Sequence, residues 1–398
     1  MGSRPPYDAF VITAPGLERL AVDELKALGR GDAHAVEGGA TFAATRQTLY
    51  EANLHLRTAS RVVVRAAEFT AKAFHELERR ASKVPWEAFI SPSPGVSLRV
   101  TCRKSRLYHS DAVAERVASA IMSRVTGVHL ATAESDAASQ LILVRLLHDR
   151  CTISIDSSGA LLHLRGYRQA LAKAPLRETL AAAMLVASGW KGDTSLIDPM
   201  CGSGTIPIEG ALIARRIAPG LGRRFAFEHW PDFDSRLWDD VVSAAKSRVI
   251  AAAPAPIKGS DRDAGAIQAA VSNAERAGVL GDIEFSERPV SAIPPASPPG
   301  WIVSNPPYGV RVGERDRLRN LYAQLGNVLR AKCPGWRFAL LSADPALERQ
   351  LRFRLEPIFR TSNGGIDVRL VTGDVPADRG AEPAVDTPDT AAAQRYSS

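Results

Sequence analysis

Along this chain the spacing of apolar residues keeps switching between the period of a strand and that of a helix, and its two halves do so differently. Phe10–Thr13 is a short β-type run broken at Pro15-Gly16. Leu17–Leu28 then repeats apolar residues at helical spacing, with Gly29 as a C-cap. After the Gly38-Gly39 turn, Ala40–Ala43 reads as a strand and a helical stretch runs through Leu49, Tyr50 and Leu54. Arg61–Arg65 predicts a strand, Phe74–Trp86 a helix and Ser91–Gly95 a Pro/Ser loop. Val96–Cys102 predicts a strand, Asp111–Val125 a helix, and strands near Leu141–Leu147 and Cys151–Asp156 close this half. Strands and helices alternate without a Gly-rich phosphate loop, which describes a small α+β binding region.

The second half repeats one unit. Ser195–Asp198 is a strand, Cys201–Gly204 a tight turn and Thr205–Arg216 an Ala/Ile-rich helix. Ile257–Asp261 and Ala264–Ala277 form the next strand and helix; Trp301–Ser304 is a third strand ending on Asn305. Leu318–Ala331 is helical and Arg337–Leu341 a further strand. Alternation at this spacing implies an α/β doubly wound parallel sheet, whose ligands lie outside the carboxyl ends of the strands. From Asp374 to Ser398 large apolar side chains almost vanish, and the segment reads as a disordered tail.

Composition narrows the class. A chain of 398 residues exceeds one ordinary domain, and 45% hydrophobic with 23% charged residues is ordinary for soluble protein. No apolar run approaches 18 residues, Leu180–Trp190 being a core helix, and the N-terminus has no apolar leader stretch. No membrane is expected as a partner, and the cytoplasm is the expected compartment. Cys102, Cys151, Cys201 and Cys333 are scattered, which argues against structural metal and a disulfide framework. The net charge of +7 divides as +4 over residues 1–165, +6 over 166–373 and −3 in the tail. Both folded halves are basic and Arg-rich, which favours a nucleic-acid partner.

Three constellations carry chemistry. In Asp198-Pro199-Met200-Cys201-Gly202-Ser203-Gly204-Thr205, glycine lets backbone approach a ligand, and the helix start offers N–H groups to a carboxylate. Asp198 suits the ammonium of the same ligand. The glycines complete neither a dinucleotide fingerprint nor a triphosphate loop. In Gly259-Ser260-Asp261 the acid at a strand end accepts ribose hydroxyls, whereas Asp263 is better placed as a helix cap. In Ser304-Asn305-Pro306-Pro307-Tyr308-Gly309 the prolines stiffen the loop and leave carbonyls as acceptors. The Asn305 oxygen and the Pro306 carbonyl each suit one hydrogen of an –NH2 group, with Tyr308 as a stacking face. Orientation against an already activated methyl would supply most of the rate, so no triad or metal set is needed.

Asp198–Gly204 followed by Asn305–Gly309 resembles the amino-methyltransferase signature of class I S-adenosylmethionine enzymes. Leu164-Arg165-Gly166-Tyr167-Arg168 with Ala174–Ala181 is similar to the opening of the catalytic domain in THUMP-containing guanine-N2 RNA methyltransferases. Ala14–Glu18, Leu56–Arg61 and Lys104–Ser110 are similar to the bacterial members, and the resemblance covers residues 8 to about 373. It implies a ferredoxin-like domain over residues 1–60, a THUMP RNA-binding domain over 61–164 and a Rossmann-like methyltransferase domain over 165–373.

The implied cofactor is S-adenosyl-L-methionine, held by Thr179, Asp198, Pro199, Cys201, Gly202, Gly204, Thr205, Asp261, Arg262, Val290 and Asn305. Asn305, Pro306, Pro307 and Tyr308 are the implied catalytic residues, and the implied acceptor is guanine N2. One departure stands out: where the family carries an Asp for the adenine amine, this chain has Pro289, leaving Glu287 or apolar contacts to hold the base. Arg103, Lys104 and Arg106 with Tyr108 suit RNA contact; His109 and His163 read as structural. The expected partner is 23S ribosomal RNA, with tRNA the rival, and the expected state a monomer without metal. A DNA adenine or protein glutamine methyltransferase, or an RNA-binding protein with an inactive catalytic domain, are the other readings.

Overall fold

A computed structural model describes residues 7–92, 95–131, 139–168, 176–294, 299–308 and 315–377. In the front half, β1 (Tyr7–Thr13), α1 (Glu18–Ala27), β2 (His34–Val36), β3 (Gly39–Ala44) and α2 (Arg46–His55) precede the long strand β4 (Ala59–Thr70). Then come α3 (Phe74–Ala81), β5 (Val96–Arg103), α4 (Ser110–Met122), β6 (Gln140–Leu147) and β7 (Arg150–Asp156). They build one sheet in the order β2-β3-β1-β4-β7-β6-β5, antiparallel except for the β5–β6 pair. β1 alternates buried Ala9, Val11 and Thr13 with more exposed residues, as a half-buried strand does. β4 buries Val62, Val63 and Val64 in succession because it is central and covered on both faces. The division expected at residues 60/61 falls inside this strand, so the first two segments share one sheet.

The second half continues with α5 (Glu178–Ser188), β8 (Ser195–Asp198), α6 (Thr205–Ala214), α7 (Ser235–Ser247), β9 (Ile257–Asp261), α8 (Ala264–Arg276) and β10 (Ile283–Glu287). β11 (Gly300–Ser304), α9 (Arg315–Lys332), β12 (Arg337–Ser342), α10 (Pro345–Glu348), β13 (Glu356–Asn363) and β14 (Ile366–Asp374) complete it. The strand order is β10-β9-β8-β11-β12-β14-β13, parallel from β10 to β12 and closed by an antiparallel hairpin. α5 and α6 are buried on nearly every face, which explains their largely apolar, weakly amphipathic sequences, Ala-rich in α5 and Ile-rich in α6.

Three elements differ from the sequence expectation. The helix from Phe74 ends at Ala81 instead of Trp86, because Pro85 cannot continue it; Trp86–Ala88 forms a separate 3-10 turn. The β13–β14 hairpin had no counterpart in the periodicity reading. The fold also outlasts the expected tail boundary: Asp374 ends β14, and the buried Val375 donates to Trp336 O and accepts from Gly335 N. The rest of the expected tail, residues 378–398, lies outside the described residues.

The insertion between α6 and β9 clasps the front half. Phe225, Phe227, Trp230, Val241 and Ala245 are buried in the first sheet's core. Phe227 stacks on Tyr50 with ring centroids 4.3 Å apart, and Trp230 Nε1 donates to Gln140 Oε1 at 2.8 Å. Asp232 accepts from Tyr7 Oη at 3.2 Å and Arg46 Nη2 at 3.0 Å. A second seam runs from the start of α1 to the hairpin, where Leu17 joins Phe359 and Val368 in the core of the second sheet. Gly16 has φ +83°, and a Cβ there would lie 1.9 Å from Arg360 O.

Candidate methyl-transfer site

The strand order sets the site. β8 lies between β9 and β11, so the residues ending these parallel strands, Asp198, Asp261 and Ser304-Asn305, come together at one rim. Asp198 is buried and accepts from Ser304 Oγ at 2.6 Å and Met200 N at 3.2 Å. Burial, aggravated by the charge of Asp261, pushes its carboxyl up to about 7. Asp261 accepts from Gly202 N and Asp263 N, each at 3.0 Å, binding the ribose-type acid to the glycine loop. Asp263 caps α8 through Gly265 N and Ala266 N, as its position in the sequence suggested.

Gly202 (φ +51°) and Gly204 (φ +83°) hold left-handed backbone, and space opens where a Gly202 Cβ would stand. Gly204 instead presses on Ala270 and Phe285, seating the loop against α8 and β10. Cys201 is buried, its N–H donating to Ser260 O and its thiol pushed far up by burial, so it serves as packing and not as a nucleophile. Pro199 lies between Asp198 and the turn. Thr205 opens α6 and its Oγ1 accepts from Arg168 at 2.6 Å. Thr179 is buried in the first turn of α5. An α6 start flanked by open glycine backbone, with two carboxylates beside it, fits a zwitterionic amino acid joined to a ribose.

Other calls fall less centrally. Arg262 is exposed just past β9, with no recorded partner among the described residues. Val290 packs in the core with Ile197, Ile293 and Ile302. Pro289 caps the 3-10 turn Val290–Ala292, and Glu287 is the register neighbour of Asp261 at the next strand end. Glu287 is therefore the acid placed at the same rim.

In the loop after β11 Pro306 is buried, Pro307 exposed and Asn305 half-buried, with Gly309 outside the described residues. Asn305 Oδ1 is shielded from solvent and accepts no hydrogen bond from the described residues. Tyr308 rests on the catalytic core, and its Oη accepts from Asn363 Nδ2 at 2.6 Å.

Two features escaped sequence reasoning. Asn363 was one, although Asn363-Gly364-Gly365 is a hairpin-turn signal. Arg168 is the other: its guanidinium bridges Glu178 (3.3 Å), Leu176 O and Thr205, tying α5 to α6.

Arg103 ends the edge strand β5 of the first sheet and Lys104, Arg106 and Tyr108 follow it, on a different sheet from this rim. Lys104 has φ +47°, and Arg106 N donates to Asp149 Oδ1 at 2.7 Å, pinning the loop to the β6–β7 turn. Tyr108 is 68% exposed with its ring 4.0 Å from His109. His163 is held neutral, its imidazole pushed down to about 4 by burial and neighbouring arginines. Among the described residues no cluster suits a metal ion, and no helix is long and apolar enough to cross a membrane.

Comparison with known proteins gives a consistent grouping. Residues 165–371 match the family model described as an RMKL-like methyltransferase domain, residues 8–63 the RlmL ferredoxin-like domain and residues 71–156 the THUMP domain. A Synechocystis protein named "Putative RNA methyltransferase slr0064" is 36% identical, covering 92% of this chain and 96% of that protein. "Ribosomal RNA large subunit methyltransferase K/L" of Syntrophotalea carbinolica is 38% identical over 93% of this chain, which spans 54% of that longer protein. Among solved structures, SMU.472 in complex with SAH superposes with a TM-score of 0.83 at 28% identity, covering 94% of this chain and 99% of that one.

Proposed function

The chain belongs to the RMKL-like methyltransferase family, joining ferredoxin-like, THUMP and class I methyltransferase domains with S-adenosylmethionine as cofactor, and we propose that it methylates guanine N2 in structured RNA, foremost 23S ribosomal RNA. One observation supports this reading above the others: the Asn305 oxygen is a buried acceptor that finds no donor among the described residues, at the strand end beside Asp198. A buried unpaired acceptor costs about 1–3 kcal/mol, a cost recovered when a ligand N–H arrives. When bound, S-adenosylmethionine supplies an electrophilic methyl. The Asn305 oxygen and the Pro306 carbonyl accept the two hydrogens of the exocyclic amine, which turns its lone pair toward that methyl. Tyr308 gives the base a stacking face. Both acceptors are neutral, so the surplus proton of the methylated amine leaves to solvent and no strong base is required.

The RNA assignment is supported by the THUMP match and by what the two curated relatives are named for. We assign Arg103, Lys104, Arg106 and Tyr108 to RNA contact, cations for phosphate and an exposed ring for a base. In this division residues 1–164 hold the RNA and 165–373 act on it.

The test is labelled-methyl transfer from S-adenosylmethionine to ribosomal RNA and to tRNA, followed by nucleoside analysis. N2-methylguanosine in ribosomal RNA is the expected product; its absence from both RNAs removes the proposal. Asn305→Ala should lower turnover on the order of 100-fold or more, the scale of a lost transition-state contact, with RNA binding retained. Unchanged turnover would exclude this role for the loop.

A further inference from the structure

The β13–β14 hairpin reaches the loop that carries Asn305 and Tyr308. β13 and β14 pair from Glu356↔Thr372 to Asn363↔Ile366 and turn through Gly364 (φ +59°) and Gly365 (φ +83°). This two-residue turn fixes the backbone of Asn363, the last residue of β13. From there the Asn363 side chain crosses to the loop after β11 and donates to Tyr308 Oη at 2.6 Å. Ile366, its register partner, packs on the same core as the Tyr308 ring. Away from the tip, β13 is braced at Arg360 by the Gly16 turn of the front half.

The loop needs such support. A tyrosine directly after two prolines receives no helix or strand ladder of its own, and β11 ends at Ser304. With the ring free about χ1, its face would sweep over a range of angles. A second point of attachment at the phenol oxygen removes that freedom. The hydrogen bond also asks for a donor at residue 363, since the phenol oxygen is the acceptor.

We propose that Asn363 is a positioning residue for methyl transfer: its amide fixes the Tyr308 ring as the wall on which the acceptor base stacks. The inference rests on the proposed role of Tyr308 in base stacking. It adds a long-range element to the site, because the wall is then set by the hairpin and not by the catalytic loop alone.

A double-mutant cycle on the full chain tests it. Asn363→Ala and Tyr308→Phe should each lower kcat for RNA methylation roughly five- to tenfold, the scale of one hydrogen bond, and the double variant should be no slower than the slower single one. S-adenosylmethionine affinity, the KM for RNA and the melting midpoint should stay at wild-type values. Asn363→Gln, which keeps a donor, should recover most of the rate. Multiplying effects, a fall confined to cofactor affinity, or full turnover in Asn363→Ala would overturn the proposal. Should Asn363→Ala melt early, Tyr308→Phe removes the same bond without touching the hairpin, and wild-type turnover there overturns it as well. Asn305→Ala run in parallel separates the two readings. If it stays active the catalytic loop is misassigned, whereas an inactive Asn305→Ala beside a fully active Asn363→Ala refutes the positioning role alone.

Discussion

Asp156 in the first sheet and Asp198 in the second are both buried carboxylates, and their surroundings set them apart. Asp156 accepts from the Arg61 guanidinium, Ser158 N at 3.0 Å and Gly159 N at 3.1 Å, and Arg61 reaches on to Gly159 O. Nearby, Asn53 joins Leu49 O, Ser157 Oγ and Ser158 Oγ in a set that ends on Val62 O. Asp198 has one hydroxyl and one backbone N–H; among the described residues no Lys or Arg pairs with it, and Asp261 adds like charge. The Asn305 oxygen beside it finds no donor among the described residues. In the set around Asp156 only Arg61 Nε is left unpaired among the described residues, and the paired charges hold the fold in register. Around Asp198 neither a counter-charge nor a donor for Asn305 is present among them, and such a set at the carboxyl ends of parallel strands is one that a ligand completes.

The strongest way to break this contrast is to open the closed set. Asp156→Ala leaves the Arg61 guanidinium buried without its counter-charge, which typically costs about 3–5 kcal/mol. Denaturant unfolding should record that loss, with activity falling only as the folded fraction falls. A cost under about 1 kcal/mol would mean that water reaches the pair, and the distinction between the two carboxylates would fail.

Asp198→Asn should do the reverse. The carboxyl of Asp198 is pushed from 3.8 up to about 7, so its ionisation is easier in the unfolded chain. Its stability contribution is complete below about pH 4 and is lost as pH rises through 7. Asparagine keeps an acceptor for Ser304 and Met200 but carries no charge. The melting midpoint of the variant relative to wild type should therefore climb between pH 4 and 7 and level off above. Cofactor binding should move the other way. At pH 8 the variant should bind S-adenosylmethionine roughly 10- to 100-fold more weakly, the worth of a charged hydrogen bond. Wild-type affinity should fall as pH drops below 7, where the carboxylate takes up a proton, and the variant should stay flat. Equal affinity at pH 8 by calorimetry would remove Asp198 from the cofactor site.

The catalytic side of this contrast was legible because each piece has a local signature. Asp198, Gly202, Asp261 and Asn305 each end or follow a short apolar strand, and parallel pairing of β9, β8 and β11 gathers strand ends wherever they lie in the chain. What escaped was long-range. The packing of the insertion escaped because Phe227 and Trp230 look alike whether they cover their own domain or another; their partners Tyr50 and Gln140 lie far back in the chain. β13 escaped because an edge strand pairs on one side only; it alternates exposed residues with buried Phe359 and Thr361 behind a break at Pro357. That the Asn305 oxygen finds no donor among the described residues is a property of packing, which the spacing of apolar residues does not encode.

The seam between the halves supplies the smallest effect, and a second glycine makes it measurable. Gly16 and Gly29 both hold left-handed backbone, at φ +83° and +81°. Alanine at either position costs about 1–2 kcal/mol from that conformation. Only at Gly16 does the added Cβ also strike a neighbour, the Arg360 carbonyl of β13, whereas nothing lies within 4 Å of the same atom at Gly29. Gly16→Ala minus Gly29→Ala therefore isolates the contact between the front half and the hairpin. The midpoint of Gly16→Ala should be the lower of the two by a few degrees, since a clash between two backbone segments is relieved only if one moves. Because β13 carries Asn363 to Tyr308, turnover should also dip in Gly16→Ala, by less than in Asn363→Ala and with cofactor affinity unchanged. Matching midpoints and turnover in the two glycine variants would mean that the hairpin shifts freely. The front half would then touch the catalytic loop only through the RNA that it holds.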